Sequence, residues 1–141
     1  MNPTRQERPI QVLFIEDSAG DALLTTQILA EFVRPVKLTI ARDGAQALSM
    51  LADPTFNPAL AILDLSLPKI LGFEVLQRIP RKDVPVVIFS ASSNRADEER
   101  ALALGAREYF RKPMDMLSYR NAVLAMVDTW ALPETQADAT P

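Results

Sequence analysis

The 141-residue sequence contains no cysteine and no histidine. Without cysteine there is no disulfide framework, no thiolate zinc site and no thiol nucleophile. Without histidine, Ser-His-Asp triads and imidazole acid–base chemistry are excluded as well. Long apolar runs are also missing. None approaches the roughly 20 residues that a bilayer-spanning helix needs, and the opening M-N-P-T-R-Q-E-R-P lacks the apolar middle of a secretory signal. The expected location is cytoplasmic. Nor is there an excess of positive charge: 15 Lys and Arg stand against 18 Asp and Glu, a net charge of -3, which gives no electrostatic footprint for a nucleic-acid backbone or an anionic membrane. The expected partners are proteins. What remains for chemistry is carboxylates, lysine, tyrosine and hydroxyls, a palette suited to a hard, oxygen-bound cation such as Mg2+ rather than a soft transition metal.

A chain of this length that is 48% hydrophobic can fill one core but not two. The domain is expected over 10–132, flanked by flexible tails at 1–9 and 133–141 that carry too few apolar residues to pack. Proline and glycine cut the domain into alternating segments. Strands are expected at Ile10 to Ile15, Val36 to Ala41, Ala59 to Leu63, Val84 to Phe89 and Arg107 to Phe110. Helices are expected from Ser18 to Val33, from Ala45 to Leu51 with Asp43 as its cap, through Phe73, Leu76 and Ile79, from Arg95 to Leu104 with a stop at Gly105, and from Asp115 to Leu132. Five strands alternating with five helices imply βαβ units. The expected fold is therefore an α/β, doubly wound, five-stranded parallel sheet with helices on both faces.

In such a sheet, ligands bind outside the carboxyl ends of the strands. The polar residues at those ends are Glu16 and Asp17 after the first strand, Asp64 after the third, Ser90 after the fourth, and Lys112 after the fifth. Taken singly, each has a plainer explanation. Asp17 would cap the first helix, Asp64 and Ser90 would be ordinary loop residues, Lys112 a solvated lysine and Tyr109 a half-buried strand aromatic. Their joint placement on one rim argues for a site. Three carboxylates brought together repel by roughly 1 kcal/mol per pair at 4 Å in water and about 4 kcal/mol at an effective dielectric of 20, so positive charge must sit among them. A divalent cation and Lys112 meet that need.

These residues carry a family resemblance. E-D-S at 16–18, D-L-S-L-P at 64–68 with Gly72 following, S-A at 90–91, G-A-R-E-Y-F-R-K-P at 105–113 and A-R-D-G-A-Q-A-L at 41–48 together resemble the receiver domain of bacterial two-component response regulators. The opening E-D-S-x-x-D and Lys69 after L-P resemble in particular the single-domain regulators that partner cyanobacterial phytochromes. The resemblance implies a flavodoxin-like fold with Asp64 as phosphoacceptor and a sensor histidine kinase as phosphodonor. Mg2+ would be held by Glu16, Asp17, Asp64 and the backbone carbonyl of Ser66. Lys112, Ser90 and the backbone N–H of Ala91 would serve the phosphoryl oxygens, and Tyr109 would move inward when Ser90 is recruited. A cis peptide before Pro113 is implied as well. The sequence departs from the family's usual pattern at Glu16, where Asp is common, at Leu71, where Asp often precedes the Gly, and at Ser90, where Thr is frequent.

On this reading the protein is not an enzyme but a phosphoacceptor that assists its own phosphorylation and dephosphorylation, and it signals through the surface of its fourth helix, fifth strand and fifth helix. An intermediate shuttle in a phosphorelay is the alternative function. A phosphohydrolase with an Asp nucleophile resembles D-x-D, and the second position here is Ser66. A receiver-like scaffold that is never phosphorylated would more naturally have lost Asp64 or Lys112. The last helix carries an apolar stripe of Met116, Tyr119, Val123, Met126, Val127 and Trp130, wider than one core face requires. It predicts a homodimer contact through Tyr119, Val123, Met126 and Trp130.

Overall fold

The computed structural model describes residues 8–67 and 71–132. The expectations for the tails fall, apart from Arg8 and Pro9, on residues outside this range, as does Lys69. The chain runs β1 (Ile10–Ile15), α1 (Ala19–Leu29), β2 (Val36–Ala41), α2 (Gly44–Ala52), β3 (Leu60–Leu63), α3 (Gly72–Arg78), β4 (Val86–Ser90), α4 (Arg95–Ala103), β5 (Glu108–Arg111) and α5 (Met116–Trp130). The strands form one parallel sheet in the order β2-β1-β3-β4-β5. The expected architecture is present.

Side chains alternate across a strand, so each inner strand feeds two cores. Leu13 and Ile15 of β1, Ala61 and Leu63 of β3, and Ile88 of β4 pack with Ala47 and Leu51 of α2, Val75 and Leu76 of α3, and Ala101 of α4. Val12, Phe14, Leu60, Ile62, Val87 and Phe89 face the other way, onto Ile28 and Leu29 of α1 and Tyr119, Val123, Met126 and Val127 of α5. Three helices cover one face and two the other. Strands β3 and β4 are buried at every residue, in keeping with the apolar runs L-A-I-L and V-V-I-F, whereas β2 and β5 at the edges are mostly part-buried.

Four helices start on a side-chain cap: Ser18, Asp43, Asn94 and Asp115 accept the amides of Asp21, Gln46, Ala96 and Ser118. The first helix is shorter than expected, ending at Leu29 instead of Val33. After it the chain turns by way of Glu31 N–H to Ile28 O and Phe32 N–H to Leu29 O, because Pro35 must deliver its carbonyl to the Ile10 amide, 2.8 Å away, to start β2 in register. At the end of α4, Gly105 adopts φ of 110°, a left-handed conformation that costs a side-chain-bearing residue strain.

Two expectations are corrected. The peptide bond before Pro113 is trans, the form that X-Pro bonds favour by about 0.5–1 kcal/mol where nothing overrides it. Three of the four residues expected to make a homodimer contact are not on the surface: Tyr119 is 5% exposed and Val123 and Met126 are fully buried in the protomer's own core. Trp130 is part-buried, with its indole N–H donating to Glu108 Oε1 at 2.8 Å. Helical periodicity identifies the apolar face, and here the sheet covers it. The large apolar side chains that α5 does expose are Met116 and Leu117.

Candidate functional site

Strand order reverses at β1, which has β2 on one side and β3 on the other, so the crevice opens beyond the carboxyl ends of β1 and β3. Sheet-like hydrogen bonding continues one residue past the strands. The Glu16 amide donates to Ala41 O at 2.9 Å, the Asp64 amide to Ile15 O at 3.1 Å and the Lys112 amide to Ser90 O at 2.7 Å. These backbone positions are therefore as fixed as the sheet, while the side chains project beyond it.

One carboxylate oxygen from each of Glu16, Asp17 and Asp64 can be chosen so that all lie within 4.8 Å of one another. Glu16 is fully buried, Asp64 nearly so, and Asp17 exposed. The Lys112 ammonium reaches into this group. It donates to Glu16 Oε1, to Asp64 Oδ2 at 3.2 Å and to Asp21 Oδ2 at 2.9 Å. Glu16 Oε2 is buried with no hydrogen-bond partner. An orphaned buried oxygen beside two further carboxylates is costly as it stands, and it fits the demand of a hard divalent cation for oxygen ligands. The donor set passes that test.

Electrostatics follow from the geometry. Burial pushes the Glu16 carboxyl up to about 9; the neighbouring Asp64 and Asp21 carboxylates add to the rise and Lys112 opposes it. Lys112 loses basicity to burial, but hydrogen bonds to Glu16 and Asp21 and the nearby charges of Asp64 and Glu16 outweigh that and raise it, so it stays protonated. For Asp21, burial acts upward, but the neighbouring Glu16 carboxyl and the hydrogen bond from Lys112 prevail and hold it below the usual carboxylate range.

The remaining predicted residues lie around this group. Ser90 is the last residue of β4, buried, with its Oγ accepting the Ser92 amide at 3.3 Å. Ala91 is exposed next to it. Ser66 is exposed, and its amide donates to Asp64 Oδ1 at 3.0 Å. Tyr109 is half-buried on β5 and donates its hydroxyl proton to the Ser92 carbonyl at 2.9 Å, which ties it to the loop after β4. The loop after β3 is held by Gly72: a Cβ there would stand 2.4 Å from Leu65 Cα and 2.7 Å from Asp64 O. Only glycine lets α3 approach so closely. Asp17 does not cap α1, since Ser18 does. Sequence reasoning missed Asp21, which shares Lys112. Its place in E-D-S-x-x-D, one helical turn after the acidic pair, was the available signal.

The chain matches the response regulator receiver domain family over residues 12–124. It belongs to that family. This receiver is 30% identical over 131 residues to the response regulator Rcp1 of Synechocystis sp. (strain ATCC 27184 / PCC 6803 / Kazusa), an alignment covering 86% of this chain and 89% of Rcp1. Among solved structures it is similar to the Mn(2+)-bound form of response regulator Rcp1 (TM-score 0.80, 30% identity, 89% of this chain and 96% of that one). It is also similar to the phosphorylated cyanobacterial phytochrome response regulator RcpA (TM-score 0.82, 30% identity, 87% and 94%). Other curated relatives are longer. The receiver spans about a third of the length of the protein-glutamate methylesterase/protein-glutamine glutaminases it matches. Among the described residues, no helix is long and apolar enough to cross a membrane.

Proposed function

We propose that this receiver accepts a phosphoryl group on Asp64 from a partner histidine kinase and passes the signal on through a change of surface. The observation that carries the proposal is Asp64 Oδ2, 3.2 Å from the Lys112 ammonium, in a carboxylate cluster that contains an unpartnered buried oxygen. An aspartate is ionised at neutral pH and needs no general base to act as nucleophile, so the obstacle is charge repulsion with the incoming phosphoryl group. A carboxylate oxygen of Asp64 attacks phosphorus, and the bond from phosphorus to the donor's imidazole nitrogen breaks with its electron pair leaving on that nitrogen. Lys112 offers its donors to the phosphoryl oxygens as negative charge arrives.

Glu16, Asp17 and Asp64, with the Ser66 carbonyl, would hold Mg2+. When bound, that ion neutralises charge on the transferred oxygens. The Mn(2+)-bound state of Rcp1 supports a divalent ion in a fold of this kind. Ser90, buried at the end of β4, and the amide of Ala91 would receive the phosphoryl oxygens. Since Tyr109 is anchored to the Ser92 carbonyl, movement of that loop would carry Tyr109 and the surface of α4, β5 and α5 with it. Similarity to RcpA supports a phytochrome as the kinase and hence a cytoplasmic site of action.

The test is incorporation of label from acetyl phosphate with Mg2+. The wild type is expected to take up about one phosphoryl group per chain and Asp64→Asn none; persistent labelling of the variant removes Asp64 as acceptor.

A further inference from the structure

An ammonium has three donors, and around Lys112 each meets a carboxylate: Glu16, Asp21 at 2.9 Å and Asp64 at 3.2 Å. Two of the three, Glu16 and Asp64, also belong to the oxygen group suited to a divalent cation. Asp21 does not. It stands in the first turn of α1, where its own amide donates to the Ser18 cap at 3.2 Å, so its position is set by the helix start and not by the site. Its side chain is 30% exposed. It lines an open hollow of about 190 Å³ with Leu24, Lys112, Pro113, Met116 and Tyr119. That hollow gives the flexible lysine stem somewhere to swing if its head is released.

We infer that Asp21 is a positioning residue for phosphoryl transfer: it holds the Lys112 ammonium beside Asp64 when a cation draws the oxygens of Glu16 and Asp64 away from it. This rests on the receiver reading given above. With Glu16 and Asp64 engaged elsewhere, Asp21 is the remaining carboxylate of the three that binds Lys112 in a fixed direction. The flexible four-carbon stem offers no preorganisation by itself. Asp21 also adds a negative charge near the site. As a charge alone it would slow reaction with an anionic donor, and its removal would speed labelling. As an anchor, its removal slows labelling. The two roles predict opposite signs.

The experiment measures initial labelling rates from acetyl phosphate at saturating Mg2+ for wild type, Asp21→Asn, Asp21→Glu, Lys112→Met and the Asp21→Asn/Lys112→Met double variant. Asp21→Asn is expected to slow labelling roughly tenfold, the scale of one charge-assisted hydrogen bond, and Asp21→Glu by a smaller factor because the charge is kept but displaced by a methylene. In the Lys112→Met background the same change is expected to alter the rate by less than about twofold, since its effect runs through the lysine. A second readout is independent of turnover. In protein carrying 15N-lysine with Mg2+ alone, the Lys112 ammonium resonance is expected to be protected from exchange in wild type and lost in Asp21→Asn. Should Asp21→Asn fail to fold, the Asp21→Glu rate and its ammonium resonance decide. Labelling of Asp21→Asn at or above the wild-type rate, or equal slowing with and without Lys112, overturns the role of Asp21 and leaves the receiver reading standing. Failure of the wild type to label overturns both.

Discussion

Glu16→Gln tests the electrostatics of the site through protein stability alone. In the fold, without a divalent cation, burial pushes Glu16 up to about 9, while its unfolded value is about 4.5. Between those values the native state holds a proton that the unfolded chain has lost, so stability falls as pH rises. The contribution is fully present below pH 4.5 and gone above about 9. The slope for one proton is about 1.4 kcal/mol per pH unit, so raising the pH from 6 to 8 should cost the wild type about 2–3 kcal/mol in EDTA. The window is clean because the chain has no histidine, and no other side chain titrates at its ordinary value there. The raised value of Lys112 acts only above 10.5, and the lowered value of Asp21 only below 3.8. Gln fills the same volume, keeps a carbonyl oxygen for Lys112 and does not titrate. Urea melts followed by Trp130 fluorescence at pH 6, 7 and 8 should show the slope in wild type and a flat response in Glu16→Gln. Millimolar Mg2+ should stabilise the wild type most at pH 8, because bound cation replaces the proton, and the variant little. A wild type whose stability is flat or rises from pH 6 to 8 in EDTA, or a variant with the same slope, refutes the reasoning.

Gly72→Ala places a methyl against Leu65 and Asp64 backbone. It is expected to destabilise by roughly 2–3 kcal/mol and to slow labelling of Asp64, measured by urea melts and acetyl phosphate incorporation on the folded fraction. Tyr119→Phe removes the buried hydrogen bond between the Tyr119 hydroxyl and Thr25 Oγ1, 3.1 Å apart, and leaves Thr25 without that partner. A loss of about 1–2 kcal/mol in urea is expected. Burial pushes the Tyr119 hydroxyl up to about 12, so a tyrosinate absorbance step in that range is expected in the wild type and its absence in Tyr119→Phe.

Apolar runs bounded by prolines revealed the strands, and an aspartate just ahead of an amphipathic segment revealed the cap at Asp43, because both signals are local; Asp115, expected as the first residue of the last helix, is its cap instead. The acids and the lysine at the strand ends could be gathered into one site from the sequence since parallel βαβ connections bring all carboxyl ends to one edge. The pairing of Lys112 with Asp21, 91 residues apart, depended on which way a helical turn faces once α1 packs against α5. Likewise, periodicity marked Tyr119, Val123 and Met126 as one apolar face but could not say whether a second copy or the protein's own sheet covers it. Strand ends and caps are written in neighbouring residues. The partners of a long side chain and the cover of an apolar face are settled only when the layers close, because they depend on distances between elements that no local pattern encodes.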